Sequence, residues 1–368
     1  MEEVQLTQEL VRIDSQNPPG NEKQVAKYIF DYLDGLRIDT RLVEFGSNRY
    51  SVVASVGKGN GLMFNTHIDT VPVGDLKAWK YDPFSAKIVG DKIYGRGASD
   101  SKSGVAAILT ALKNNVKRNF KRKLLIALVG DEEVAQGGSK YLIKNRGKIF
   151  KDVKYGLIAD SDYDIAVGQK GILHVKFVFH GKAAHGSEPE KGVNAITKAT
   201  KFVSSLEAIQ SNLKKHKDVT LGYGTINVGK ISGGTKVNIV ADKCEVEVDR
   251  RLTWGETPNS ALNQFKNLLR KQSISAEVKF LNEPRLAVKT AKDSKLVEVL
   301  KSIDGKLKVG SKSGYTEMEL YIRELSMECV ACGPIEKGQA HVNDEFVKIS
   351  SIKKTTKLYT DLIRKWCC

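Results

Sequence analysis

The sequence predicts an α/β fold: a mixed, mainly parallel sheet with helices on both faces, plus an inserted α+β ferredoxin-like lid or dimerisation domain. Three observations predict it. Short apolar runs alternate with helical stretches as far as Ala159, which implies parallel strands covered on both sides. Between Ile172 and Phe280 the order becomes strand, helix, strand, strand, helix, strand. The length, 368 residues, exceeds one ordinary core and suits two domains.

Apolar Val4, Leu6, Leu10, Val11, Val25, Ile29 and Leu33, broken at Asn17-Pro18-Pro19-Gly20, predict two helices around a tight loop. Tyr50–Val56 and Gly61–Asn65 are short apolar runs that suit buried strands. Gly104–Lys113 reads as a helix, Lys123–Val129 as a continuous apolar strand, Gly138–Lys144 as the start of a helix and Tyr155–Ala159 as a strand. Ile172–Phe179 alternates like a half-buried strand and Gly192–Ile209 reads as a helix. Leu221–Ile231 and Lys243–Leu252 are strands, Thr257–Lys271 a helix and Ile274–Phe280 a last strand. A helix at Leu296–Ile303, further strands and a closing helix from Ile349 to Trp366 complete the chain. The expected division is a catalytic domain at 1–170 and 284–368, with the inserted domain at 171–283.

Composition narrows the function classes. Hydrophobic residues at 41% and charged residues at 28% are ordinary for a soluble globular chain. The first residues show no basic segment followed by an apolar one, and no apolar run approaches the roughly 20 residues that span a bilayer. Five cysteines, with Cys367 and Cys368 adjacent, make no disulfide framework, and a cytoplasmic location is expected. Cys329 and Cys332 form a lone CxxC without the further ligands that a structural zinc needs, and read as small residues of a buried strand. The formal charge of +16 attracts anions, but its lysines are spread along the chain, as in Lys198–Lys217 and Lys289–Lys308, and read as a solvated surface. No nucleic-acid module or aromatic-interleaved basic stripe is present, so neither nucleic acid nor a membrane is an expected partner.

Imidazoles and carboxylates recur where strands end. His67 and Asp69 follow Leu62–Thr66, Asp100 follows a glycine-rich turn, and Asp131-Glu132-Glu133 follow Leu124–Gly130. Asp160 follows Tyr155–Ala159, and a loop after Val330–Gly333 reaches His341. Each is weak alone, and Asp100 could merely cap the helix that follows it. Together they gather at one sheet edge the ligand set that borderline and hard divalent ions take.

These segments carry a resemblance. Asn65-Thr66-His67-Ile68-Asp69-Thr70-Val71-Pro72, Tyr94-Gly95-Arg96-Gly97-Ala98-Ser99-Asp100-Ser101-Lys102-Ser103-Gly104 and Asp131-Glu132-Glu133 resemble the M20 metallopeptidase and deacylase family. So do Gly181-Lys182-Ala183-Ala184-His185-Gly186-Ser187, Gly192-Val193-Asn194-Ala195, and Gly333-Pro334 leading to His341-Val342-Asn343-Asp344-Glu345. The resemblance implies two Zn2+ per chain, with Co2+ or Mn2+ as possible substitutes. His67 and Asp160 would hold the first ion, Glu133 and His341 the second, and Asp100 would bridge them. Asp69 would orient His67. Glu132 would be the general base towards a water shared by the two ions, and His185 would stabilise the tetrahedral intermediate. Arg251 is aligned with a residue that grips a substrate carboxylate, Asn238 with a neighbour of that pocket, and Gly314 and Thr316 with a loop that closes over substrate.

Two departures stand out. The family commonly has Gly-Glu-Pro where this chain has Ala159-Asp160-Ser161, and Asp162 is a rival ligand. Ser313-Gly314-Tyr315-Thr316-Glu317 differs from the commoner Gly-Thr-Ser-Asp loop. The expected activity is removal of an acyl group from an N-acyl amino acid in amino-acid biosynthesis, as in acetylornithine deacetylases and succinyl-diaminopimelate desuccinylases. Its rivals are an exopeptidase (carboxypeptidase or dipeptidase), a hydrolase releasing an amino acid from an acidic carrier protein, and a non-catalytic protein that binds acidic partners. A homodimer through the inserted domain is expected.

Overall fold

Leu124–Val129 is apolar at every position and buried at every position, so it can only be an interior strand. In the computed structural model, which describes residues 2–368, it lies beside Gly61–His67, which is also buried throughout. The large sheet runs in the order Asp39–Gly46, Arg49–Val56, Leu124–Val129, Gly61–His67, Val153–Ile158, Glu328–Ala331, Ile165–Gln169, and Val309–Lys312 also pairs with Ile165–Gln169. Its centre is parallel: Gly61–His67 pairs with Leu124–Val129 and Val153–Ile158, and Glu328–Ala331 with Val153–Ile158. The strands flanking this centre are antiparallel.

Successive side chains of one strand show that helices cover both faces. Phe64 packs edge-on against Tyr359 of the helix Ile349–Cys367, with ring centroids 5.0 Å apart. Asn65, pointing the other way, donates to the hydroxyl of Tyr321 in the helix Met318–Leu325. The helix Ser103–Lys113 is buried from Ser103 to Leu112, which its run of alanine, valine, isoleucine and leucine permits. A small antiparallel sheet of Lys87–Val89, Lys92–Tyr94 and Phe346–Lys348 completes this part.

Two compact units result: Met1–Gly168 with Thr290–Lys312 and Thr316–Cys368, and Gln169–Lys289 with Ser313–Tyr315. The second unit holds an antiparallel sheet in the order Thr225–Gly233, Lys243–Leu252, Gly171–His180, Glu277–Phe280. Phe177, Phe179, Phe202 and Phe265 fill the layer between this sheet and the helices Ala195–Lys215 and Pro258–Lys271. The other sheet face is polar: Lys176 bridges Glu245 and Glu247 across strands.

Several elements differ from the sequence expectation for local reasons. The helix expected from Gly192 begins at Ala195, because the Asn194 side chain accepts from the amides of Ile196 and Thr197 and so sets the start. The strand expected from Leu221 begins at Thr225, because Asp218 takes the amides of Thr220 and Leu221 into a turn closed at Gly222. Asp39–Gly46 is a strand that the apolar pattern does not reveal; only Val43 is buried in it.

Candidate metal centre

The parallel strands all deliver their carboxyl ends to one edge. His67 is the last residue of its strand, Asp131 to Glu133 follow Leu124–Val129 after one glycine, and Asp160 lies two residues beyond Val153–Ile158. Asp100 does not cap the helix Ser103–Lys113, whose first turn receives no side-chain cap. His341 sits at φ +62°, and Asp131 at φ +69°, a backbone region that few non-glycine residues occupy.

Two groups of ligand atoms form there. His67, Asp100 and Asp160 each offer one atom, all within 4.8 Å of one another, and Asp100, Glu133 and His341 do the same. Asp100 is shared: its Oδ1 is 3.0 Å from His67 Nε2 and its Oδ2 is 3.5 Å from His341 Nε2. His341 Nε2 is 2.9 Å from Glu133 Oε2. Asp162 faces elsewhere, 3.3 Å from Lys337 Nζ. His67 and Asp160 are buried and Asp100 partly so, whereas the His341 side chain is 55% exposed.

Asp69 touches His67 and also holds the turn beside it. Its carboxylate is 3.7 Å from His67 Nδ1, and the nearer acceptor, at 2.9 Å, is the main-chain carbonyl of Asp69. The carboxylate also accepts from the amides of Glu132 and Glu133, at 3.1 and 3.3 Å. It therefore holds the turn that carries both glutamates.

The electrostatics show a site short of positive charge. Burial pushes the Glu132 carboxyl well above its usual range, and the negative charges of Asp160 and Glu133 add to the shift against the pull of His67. Burial likewise raises Glu133 and Asp160. It also works against the charge on His67, but Asp100 and Asp69 outweigh it and hold the imidazole well above its ordinary pKa. Glu133 Oε1 is buried without a hydrogen-bond partner among the described residues. An imidazole-carboxylate donor set with surplus negative charge and an orphaned carboxylate oxygen fits divalent cations.

Residues that the sequence reading left without a role hold this centre. Asn17 donates to Asp69 Oδ2 and Asp131 Oδ1, both at 2.9 Å, and Arg49 ties Asp131 to Glu22. Glu345 accepts from the amides of Gly97, Ser99 and Asp100 and from Arg96, and so shapes the turn that presents Asp100. Lys312 Nζ lies 2.8 Å from Asp160 Oδ1. Burial pushes the Glu317 carboxyl up to about 8; Ser139 donates to one of its oxygens.

The expected substrate residues are distributed over both units. His185, Asn238, Arg251 and Gly314 belong to the second. There His185 pairs with Ile239, and the Gly186 amide donates to the Asn238 carbonyl, so His185 and Asn238 lie side by side. His185 Nδ1 lies 3.2 Å from the Ser187 amide nitrogen and 2.7 Å from the Ser187 hydroxyl, which leaves Nε2 without either contact. Arg251 Nε is 2.9 Å from Asp249 Oδ1. Thr316, in the first unit, is fully buried and its hydroxyl accepts from the Met318 amide, a helix-start role rather than an open contact.

Comparison with known proteins gives a consistent picture. The model of peptidase family M20/M25/M40 matches residues 63–365. An acetylornithine deacetylase of Photorhabdus laumondii is 30% identical over 342 residues, covering 90% of this chain and 87% of that protein. Among solved structures, the M20 family metallo-carboxypeptidase Sso-CP2 of Sulfolobus solfataricus superposes with a TM-score of 0.83 at 22% identity, covering 99% of each chain. A dinuclear metal binding peptidase of the M20 family from Bacillus subtilis gives a TM-score of 0.70 at 14% identity, covering 98% of this chain and 96% of that one.

Proposed function

The chain belongs to peptidase family M20/M25/M40, hydrolases of amide or peptide bonds, and on that premise we propose that it removes the acyl group from an N-acyl amino acid. The family is metal-dependent. The observation that carries the reading is the pair of three-residue ligand groups sharing Asp100, with Glu132 buried beside them. His67, Asp100 and Asp160 would hold one zinc ion, and Asp100, Glu133 and His341 the other. Bound there, two such ions lower the pKa of a water and polarise a carbonyl.

The chain's own residues do the rest. Glu132 accepts the proton of the attacking water and returns it to the leaving amine. Asp69 fixes the amide of Glu132 and so its aim. His185 offers a ring N–H for the developing oxyanion, and Arg251 a guanidinium for a substrate carboxylate. The deacylase reading is preferred to an exopeptidase because the relative at 30% identity is a deacetylase, whereas the carboxypeptidase likeness concerns the fold.

Among the described residues no helix is long and apolar enough to cross a membrane. All five cysteines are free, which suits the reducing cytoplasm. The exposed edge strand Thr225–Gly233 and the helix Ala195–Lys215 offer a surface for a homodimer.

The test is Glu132→Ala, assayed on acetylornithine, succinyl-diaminopimelate, acetyl-amino acids and dipeptides beside metal analysis. Two ions per chain should be retained and hydrolysis lost by about 10²–10⁴-fold. Hydrolysis that persists in this variant would refute the assigned role.

A further inference from the structure

On the reading that the centre holds two divalent ions, we propose that Lys312 is a positioning residue that restricts Asp160 to a single oxygen towards its ion. The position this leaves open is where the reacting groups would enter.

Lys312 ends the strand Val309–Lys312, which pairs with Ile165–Gln169 at the same sheet edge that Asp160 leaves. Its ammonium is clamped on one residue by two bonds. Nζ donates to Asp160 Oδ1 at 2.8 Å and to the main-chain carbonyl of Asp160 at 2.6 Å. The carbonyl contact matters, because it fixes the ammonium on the backbone and not on a mobile carboxylate alone. The side chains are 23% and 6% exposed, so this is an interior pair, unlike the surface pairs of the chain.

A carboxylate has two oxygens, and here one is engaged by a cation. The engaged oxygen keeps a second lone pair, but a divalent ion on it would sit beside the ammonium, so Oδ2 is the oxygen favoured for an ion held with His67 and Asp100. The second ligand group has no such device: Glu133 Oε2 faces His341, and its Oε1 has no hydrogen-bond partner among the described residues. The ammonium also repels a divalent ion at short range. Both effects act in one direction, keeping the first ion less saturated and less tightly held than its ligands alone would make it. Catalytic zinc sites need such an open position, and the partners of the ligands commonly set it.

The experiment compares wild type, Lys312→Met and Lys312→Arg. Ion stoichiometry and affinity are measured by chelator competition, the Co2+-loaded proteins by visible absorption, and kcat and KM on the preferred substrate. The Met variant should bind two ions, one of them at least about 10-fold more tightly. The visible bands of one Co2+ should weaken as its coordination number rises, and kcat should fall with KM nearly unchanged. The Arg variant should restore most of the wild-type spectrum. Lys312→Gln carries the same decision if the Met variant does not fold, since it keeps a donor without the charge. An unchanged spectrum and affinity overturn the proposal, including where KM rises and Lys312 proves to touch substrate. Weaker ion binding overturns it as well. A wild-type chain that binds fewer than two ions removes the two-ion reading itself, a result separate from either.

Discussion

Replacing Glu345 with Gln should destabilise the first unit by about 4 kcal/mol and loosen the shared ligand. Glu345 is fully buried, and each of its oxygens serves two donors. Oε1 accepts from the Ser99 and Asp100 amides at 2.8 and 2.9 Å, and Oε2 from the Gly97 amide at 3.0 Å and Arg96 Nη1 at 2.8 Å. A glutamine side chain has one acceptor oxygen, so whichever way it turns its NH2 faces two donors. Two hydrogen bonds to a charged acceptor are lost, at roughly 1.5–3 kcal/mol each. Removing the charge beside buried Arg96 gives about the same total, roughly 3–5 kcal/mol, and is the same loss counted another way. In a domain of this size, each kcal/mol moves Tm by about 2–4 °C, so the midpoint should fall by about 8–16 °C. Burial pushes the Glu345 carboxyl up to about 7, so calorimetry of metal-free protein at a pH above about 8, where the side chain is charged, measures this directly. The Asp100 amide is among the four donors, so ion affinity should fall together with Tm. A midpoint within about 2 °C of wild type would refute the reasoning, and a fall in Tm with unchanged ion affinity would refute the coupling to Asp100.

Asn17→Ala removes one donor from Asp69 and one from Asp131, both buried, while the other donors to these carboxylates remain. The expected cost is about 2–4 kcal/mol in denaturant unfolding, and a loss under about 1 kcal/mol would show that the pair tolerates the change. Asp218 gives a pH-dependent case in the second unit. Its partial burial raises its pKa, but Lys289 and the amides of Leu221 and Thr220 outweigh this and bring it to about 2. A carboxylate depressed on folding stabilises above its unfolded pKa of about 3.9, and that contribution fades as pH falls towards about 2. Asp218→Asn should therefore lower the urea midpoint at pH 5 and differ progressively less from wild type between pH 4 and pH 2. A gap that stays constant over that window would exclude the ion pair as its cause.

Much of the architecture was legible because it follows from apolar patterning. Leu124–Val129 has no polar residue, and a strand with no polar residue must be covered on both faces. The antiparallel flank was not legible for the same reason in reverse. Asp39–Gly46 reads Asp-Thr-Arg-Leu-Val-Glu-Phe-Gly, an edge strand that buries only Val43 and leaves no alternation to detect. His67, Asp131 to Glu133 and Asp160 were visible because an imidazole or carboxylate closely follows an apolar run, whereas Asp100 follows a glycine-rich turn and His341 a long loop. That position at a strand's carboxyl end is where this class of fold gathers its chemistry.

The residues that hold those ligands were invisible for a different physical reason. Asn17 meets Asp131 across 114 positions, and Glu345 meets Arg96 across 249. A polar side chain is read from sequence as solvated or buried only through its neighbours, and here the deciding partner is not a neighbour. Lys312 is the sharpest case. It is one lysine in a chain whose 59 Lys and Arg residues look like surface, yet its ammonium is bonded to a candidate ligand. The same charge that hides Lys312 in the composition gives it an effect at the centre, because a cation among crowded carboxylates acts at short range in a poorly solvated place. Net charge therefore says little about this protein until each charge is assigned to water or to a partner. Lys312 is the assignment on which the behaviour of the first ion turns.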